Sequence, residues 1–262
     1  MKQVPNIFTL INLLFGCIAI TLIVQNGMVA TVTEDGGQLL LLPEKIYWAS
    51  AFIGLAAVVD FLDGFVARLF KASSEMGKQL DSLADVVSFG VAPGLIAYQF
   101  LRIAMAQEEN GLDISTVYLI PAFLIPCAGA YRLARFNLDN ASSVNFKGVP
   151  VPAVGLLIAS FPLIYWYSNE SWAIGLLLNK WFWYALVIVV CYLMISTKPM
   201  MSFKFKDLSL KNNLSKIILL VVAIIAALLL QWLAVPVVFV VYVILSLVML
   251  PKESAIENNI TL

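Results

Sequence analysis

The sequence predicts an all-α, polytopic transmembrane bundle of about eight helices with both termini cytoplasmic. Three observations predict it. Of 262 residues, 61% are hydrophobic and only 12% charged, with a mean hydropathy of +0.93; a soluble domain is about 45–50% apolar and about 25% charged. The apolar residues fall in runs close to the roughly 20 residues that a membrane-spanning helix needs. The third observation is that Lys and Arg gather in alternate connections between those runs, the asymmetry that orients membrane proteins.

Taken in order, the runs lie at about 7–25, 47–70, 81–106, 113–136, 150–168, 181–197, 214–232 and 234–250. The first follows a single Lys2, but it is long for a signal-peptide core and carries Asn6, Thr9 and Asn12, which reads as a retained helix. The region 168–181 reads as a short interfacial helix. The last two runs are split only by the neighbourhood of Leu233 and Pro236, the pattern of a tight helical hairpin. Two units follow: a six-helix core over 1–212 and a C-terminal hairpin with a short, frayed tail over 213–262. No repeat or soluble domain is visible.

With the N-terminus inside, 13 of the 16 cations fall on the inner side, leaving only Lys45, Arg102 and Lys180 outside. That placement predicts an integral protein of the cytoplasmic membrane. The outer connections are acidic and undistinguished. The lysine-rich stretch 198–216 is explained by topology, with attraction to anionic lipid as a second reading. Cys17, Cys127 and Cys191 sit inside apolar runs with no metal-ligand spacing and read as small buried hydrophobes without disulfides.

One stretch breaks the apolar pattern. Residues 60–85 read DFLDGFVARLFKASSEMGKQLDSLAD, with four acids in two pairs, Asp60/Asp63 and Asp81/Asp85. Spacings of three and four place each pair on one helix face. Ionisable groups at a membrane are costly and mark function by default. A turn between the two helices would bring the pairs together, and the four carboxylates would repel unless cations lay between them. Paired divalent ions are a standard arrangement for phosphoryl chemistry. The chain has no histidine, so a metal site here is all-oxygen, favouring Mg²⁺, Mn²⁺ or Ca²⁺ over zinc. Proton transfer falls to a carboxylate, Lys, Tyr or Cys. Gly64 and Gly77 are costly inside helices and, with Ala67, leave room for a ligand, while Arg68 is placed to fork onto phosphate oxygens or to serve as a topology anchor.

The pattern Asp60-x2-Asp63-Gly64-x2-Ala67-Arg68-x8-Gly77-x3-Asp81-x3-Asp85 resembles the complete signature of the CDP-alcohol phosphotransferase family. The resemblance implies a transmembrane helical fold and transfer of a phosphoryl group from a CDP-linked donor to an alcohol, with loss of CMP. It implies Asp60, Asp63, Asp81 and Asp85 as ligands of two divalent ions, Asp85 also as general base, and Asp63, Gly64, Ala67, Arg68 and Gly77 as the CDP site. Three further stretches, PNIFTLINLLFG, DSLADVVSFGVAPG and the pair YRLARFN and FKGVPVPA, with SFKFK after the sixth run, are similar to the bacterial-type phosphatidylserine synthases of that family. This narrower likeness covers roughly 1–206 and implies CDP-diacylglycerol and L-serine as substrates, with no role for nucleic acid. Homodimers are common in the family, and the apolar helix faces leave room for one.

The acceptor is less sharply drawn. Arg132, Arg135 and Lys147 flank the inner ends of the fourth and fifth runs, and an arginine fork suits the serine carboxylate. The same cations would equally hold the phosphate of glycerol 3-phosphate or inositol phosphate, or lipid headgroups. Asn137 is placed to orient the site by hydrogen bonding. Thr9 and Asn12 share one face of the first helix, where polar pairs commonly join helices; the resemblance implies a nucleotide contact. From a different class, a cation transporter would also use intramembrane carboxylates, but inverted repeats and midplane binding groups are missing from this sequence.

Overall fold

The computed structural model describes residues 4–25, 27, 29–32, 38–69, 74–107, 115–138, 146–201 and 213–260. Helix α1 (Val4–Val24) packs along α2 (Lys45–Leu69). Between them β1 (Val29–Val32) and β2 (Gln38–Leu41) pair antiparallel, Val29 opposite Leu41. The expectation of an undistinguished connection there is thus corrected: alternating Val, Thr and Leu suit a short ribbon.

Next comes one continuous stretch of 32 residues, Glu75–Ala106. It comprises α3 (Glu75–Asp85), a π-helical turn (Val86–Val91) and α4 (Ala92–Ala106). The apolar run predicts a helix opening at Asp81, but the helix begins six residues earlier, at Glu75. Ser74 is its N-cap, its hydroxyl accepting from the Gly77 N–H at 3.0 Å, and Glu75 occupies the first turn; both favour a helix start. Single turns of 3₁₀ helix at Thr116–Tyr118 and Ile120–Phe123 lead into α5 (Leu124–Leu138).

Strand β3 (Phe146–Lys147) precedes α6 (Val151–Tyr167), α7 (Ser171–Leu177) and α8 (Lys180–Ile195), and β4 (Pro199–Met200) pairs antiparallel with β3. Helix α7 is the short helix expected between 168 and 181, and it meets α8 at 72°. The chain closes with α9 (Leu214–Leu230), a 3₁₀ turn (Gln231–Leu233) and α10 (Ala234–Ile260). The frayed tail is corrected: α10 continues through KESAIENNI, which is rich in residues that tolerate helix.

Five stretches are long and apolar enough to cross a bilayer, six when the bent α7/α8 pair counts as one; α6 is a shorter apolar helix. One of the five, Leu214–Val248, has 35 residues, which would reach roughly 50 Å if straight. Gln231 interrupts it at φ 50°, and α9 and α10 pack against each other. The 35-residue stretch is therefore a hairpin of two arms, and with α6 the described residues form eight long helical segments. Large apolar side chains such as Leu14, Phe61, Ile188, Leu228 and Ile244 cover its outside, the surface expected against lipid. The protein is an integral membrane protein.

The core holds Phe89, Phe100, Ile158 and Trp183, all fully buried. Phe100 stacks on Trp183 with ring centroids 5.0 Å apart, and the Trp183 indole donates to the Leu177 carbonyl at 2.7 Å. Two of the cysteines depart from expectation. All three are free thiols; Cys17 and Cys127 are exposed, while Cys191 is half-buried and packs against the core. In a membrane protein an apolar run has no obligation to face the core, because lipid solvates it equally well.

Candidate active site

One end of the bundle collects the start of α1, the end of α2, α3 and the ends of α5 and α8. All four acids lie there. One carboxylate oxygen from each of Asp60, Asp63 and Asp81 falls within 4.8 Å of the other two. Asp60 is central, within hydrogen-bond reach of both Asp81 and Asp85. Asp63 and Asp85 are 7% and 6% exposed. Two full charges about 4 Å apart repel by about 4 kcal/mol even at an effective dielectric of 20, so four anions here require cations or shared protons.

The donor set fits a divalent metal. All its atoms are oxygens, the choice of hard cations, and bonds of about 2.0–2.6 Å to one ion accommodate three ligand atoms lying within 4.8 Å of one another. Among the described residues this trio forms a single group, and Asp85 stays outside it. Asp85 keeps one buried oxygen, Oδ1, without a hydrogen-bond partner.

Helix α1 closes one side. The Thr9 hydroxyl reaches Asp63 Oδ2 at 2.9 Å and the Pro5 carbonyl at 3.2 Å, so its one proton serves either. Asn12 is fully buried, and neither end of its amide has a partner. Gly77 lies close by: a Cβ there would meet Asn6 Oδ1 and Ser74 Oγ, each at 3.1 Å. Gly64 is half-buried on α2 one residue past Asp63. Ala67 and Arg68 continue α2, and their side chains lie outside the described residues, as do most of the cations of 198–216.

The contacts that fix Asp81 and Asp85 in place include Asn137, singled out from the sequence, and Lys78 and Ser82, which were not. Asn137, at the end of α5, donates from Nδ2 to Ser82 Oγ at 2.9 Å, and Lys78 Nζ donates to the Asn137 carbonyl at 3.2 Å. These two bonds tie α3 to α5. Immediately after Asp85 the helix widens, the Ala92 N–H reaching back five residues to the Val87 carbonyl. Two signals could have revealed that π turn, Gly90 and Pro93 within an apolar run. Proline lacks an N–H and clashes with the carbonyl four residues earlier, so a continuing helix must open ahead of it.

The π turn is gripped from several sides. Ser88 Oγ donates to the Asn12 carbonyl at 3.0 Å, and Gly16 of α1 is so close that a Cβ would strike Ser88 Oγ. From α6, a Cβ on Gly155 would lie 2.8 Å from Phe89 Cβ, and one on Gly90 would lie 3.3 Å from the Pro126 Cα of α5.

The three acceptor candidates separate. Arg132 is 6% exposed and its Nε has no hydrogen-bond partner. It interacts electrostatically with Asp85, Tyr242 and Arg135. Arg135, one turn on, instead caps α8, donating to the carbonyls of Ile195 at 2.6 Å and Ser196 at 3.1 Å. Lys147 is exposed in β3. Beside it, Gly148 has φ 73°, and its N–H donates to the Lys198 carbonyl at 3.0 Å. A Cβ there would strike the Met194 carbonyl and lie 2.8 Å from that of Ser196. Glycine is required at this position on both counts.

An eight-segment helical bundle with a shared carboxylate cluster at one end defines a membrane-embedded class with a candidate metal site. Its particular family follows from comparison: the profile of the CDP-alcohol phosphatidyltransferases matches residues 2–191, and the chain belongs to that family. Among curated proteins it is similar to a CDP-diacylglycerol–serine O-phosphatidyltransferase of Bacillus subtilis, 37% identical over 129 residues, 46% of this chain and 64% of that protein. An archaetidylserine synthase of Methanothermobacter thermautotrophicus is 35% identical over 145 residues, 55% of this chain and 53% of the relative. A CDP-diacylglycerol–serine O-phosphatidyltransferase of Mycobacterium leprae is 32% identical over 186 residues, 68% of this chain and 57% of the relative. The chain thus spans between 53% and 64% of the length of these three.

Proposed function

We propose that this protein transfers the phosphatidyl group of CDP-diacylglycerol to L-serine, yielding phosphatidylserine and CMP. The observation that carries the reading is the convergence of Asp60, Asp63 and Asp81 within 4.8 Å, with Asp85 buried beside them. Choice of serine among acceptors is supported by the names of the similar proteins from Bacillus subtilis and Mycobacterium leprae.

Asp60, Asp63 and Asp81 would hold Mg²⁺ or Mn²⁺, with Asp85 as a further ligand when a second ion binds. Bound there, divalent metal neutralises charge on the diphosphate and on departing CMP. Thr9 keeps Asp63 oriented through its hydroxyl. Gly64, Ala67 and Gly77 leave space for the nucleotide along the backbone, Asn12 offers it a buried amide, and Arg68 forks onto phosphate oxygens. Asp85 takes the proton of the serine hydroxyl as the oxygen attacks the phosphatidyl phosphorus. The bond from that phosphorus to the CMP oxygen breaks, and CMP leaves with the electron pair. With no histidine in the chain, a positioned carboxylate is the natural proton acceptor. Arg132 receives the serine carboxylate. Arg135 and Lys147 frame that side, Arg135 by holding the end of α8.

In this reading residues 1–212 form the catalytic unit, the hairpin 213–262 is appended to it, and the acidic end faces the cytosol. There serine from water and CDP-lipid from the leaflet both arrive, and lipid covers the apolar belt wherever a second copy does not. Purified protein should be offered CDP-diacylglycerol with serine, glycerol 3-phosphate, inositol phosphate or ethanolamine in turn. CMP release that depends on serine alone is expected. An inert serine beside a productive alternative would sink the substrate assignment.

A further inference from the structure

The C-terminal hairpin lies beyond residues 2–191, the part of the chain that the family profile matches. It is fastened to the residue after β4: the Tyr242 hydroxyl donates to the Met201 carbonyl, and the Met201 N–H donates to Ser246 Oγ, each at 3.2 Å. Its tip lies at the end of the bundle opposite the acids. All six tryptophans are at that end: Trp48 early in α2, Trp166 late in α6, Trp172 in α7, Trp181 and Trp183 in the first turn of α8, and Trp232 in the tip. Tryptophan collects where the headgroups of a bilayer begin, so this level is a membrane–water interface. There a cavity of about 180 Å³ opens between the corner joining α6 to α7 and the tip joining α9 to α10. Tyr167, Asn169 and Glu170 line one side of it, and Leu229, Gln231 and Trp232 the other.

The lining is particular in its chemistry. Glu170 is its one charged residue, and its Oε2 accepts from the Trp172 indole N–H at 3.1 Å, which restrains the carboxylate. The corner itself is fixed by the Ser168 N–H, which donates to the Ile164 carbonyl at 2.9 Å, and by the Glu170 N–H, which donates to Ser168 Oγ at 3.2 Å. Asn169 and Gln231 bring amide oxygens, and the rings of Tyr167 and Trp232 attract cations. Gln231, at φ 50°, is the one non-glycine residue with positive φ among the described residues; such backbone persists only where its surroundings enforce it, and it gathers at ligand sites. Beside the cavity, Leu228 and Leu229 are 80% and 75% exposed. A primary ammonium carries three N–H donors for these acceptors, a quaternary ammonium carries none, and an anion meets repulsion from Glu170. The bare leucine flank suits acyl chains, so the ligand is an amphiphile rather than a soluble amine.

We propose that this cavity binds the primary-ammonium headgroup of a membrane phospholipid, with Glu170 as its charge partner and Leu228 and Leu229 against its chains. The bound lipid bridges the part of the chain that the family profile matches and the hairpin outside it. The site is separate from the acidic cluster and independent of the reaction proposed there.

The test titrates full-length protein in detergent micelles with dioleoyl phosphatidylethanolamine, phosphatidylcholine or phosphatidylglycerol and counts bound lipid by native mass spectrometry. Phosphatidylethanolamine is expected to bind about tenfold more tightly than either of the others, the scale of one charge-assisted hydrogen bond. Glu170→Gln should erase that preference and Glu170→Asp should keep most of it. Asp60→Asn, at the far end of the bundle, should leave it unchanged. Glycerophosphoethanolamine, the same headgroup without chains, should compete at least about tenfold more weakly. Glu170 is exposed, so its substitutions leave the fold intact. Equal binding of the three lipids, a preference that survives Glu170→Gln, or one that is lost in Asp60→Asn would each overturn the proposal. Phosphatidylcholine binding as tightly as phosphatidylethanolamine would overturn the choice of a primary ammonium. Equal competition by glycerophosphoethanolamine would overturn the choice of a lipid.

Discussion

The stretch that carries Asp81 and Asp85 and the hairpin that closes the chain are both long apolar helical segments, but they are held in opposite ways. In the most apolar part of Glu75–Ala106, 67% of the residues are buried; in that of Leu214–Val248 the figure is 17%. The first is clasped on several sides by close backbone approaches at Gly16, Gly90 and Gly155. The second is exposed over most of its surface and is fastened by a few polar contacts at Tyr242 and Ser246. Position is enforced where the four acids converge. The hairpin is held by local fastening alone.

The contrast can be broken most severely at the acids. Asp85→Asn should lower turnover by about 10²–10⁴-fold, the range for loss of a general base, while CDP-lipid binding survives better than in Asp60→Asn or Asp63→Asn. Equal loss of binding in all three, measured with radiolabelled CDP-lipid, would make Asp85 chiefly a ligand. Chelation by EDTA should abolish CMP release, with recovery on added Mg²⁺ or Mn²⁺ and unchanged circular dichroism.

Support of the acids comes next in size. Thr9→Val removes the hydroxyl that reaches Asp63 at 2.9 Å. The Mn²⁺ concentration for half-maximal rate should rise about 10–100-fold, as when ligand-orienting partners are lost; an unchanged metal titration would argue against Thr9 in this role.

Packing around the central segment gives smaller effects. Gly155→Ala places a methyl 2.8 Å from Phe89 Cβ and should cost about 1–3 kcal/mol by overpacking, seen as a lower Tm in detergent. The smallest effect belongs to the hairpin's outer face. Leu228 is 80% exposed, and Leu228→Ala should stay within about 0.5 kcal/mol. A larger loss there would show that this face is covered by protein rather than lipid.

Much of this was legible in the sequence because it rests on counting. Helix number follows from apolar length, and the facing of the acid pairs from spacings of three and four. What was hidden depends on contacts between distant parts of the chain. Nothing local distinguishes Arg132 from Arg135, yet one is buried beside Asp85 and the other caps α8. Cys17 and Cys127 were misplaced because hydropathy cannot tell a core-facing from a lipid-facing position. Tyr242 escaped notice because it lies in a run that reads as uniformly apolar.

The π turn has one more consequence. Relative to an α-helix it is a single-residue insertion, so it offsets the azimuth of everything after it by about 100°. Removing one residue between Val86 and Val91 would leave the acids of α3 on their ligand face. It would swing α4 around its own axis, turning Phe100 and Gln99, which now donates to the Ile23 carbonyl at 3.1 Å, toward lipid. The turn acts as a phase shifter between two halves that answer to different neighbours, α3 to the acids of α2 and α4 to the rest of the bundle.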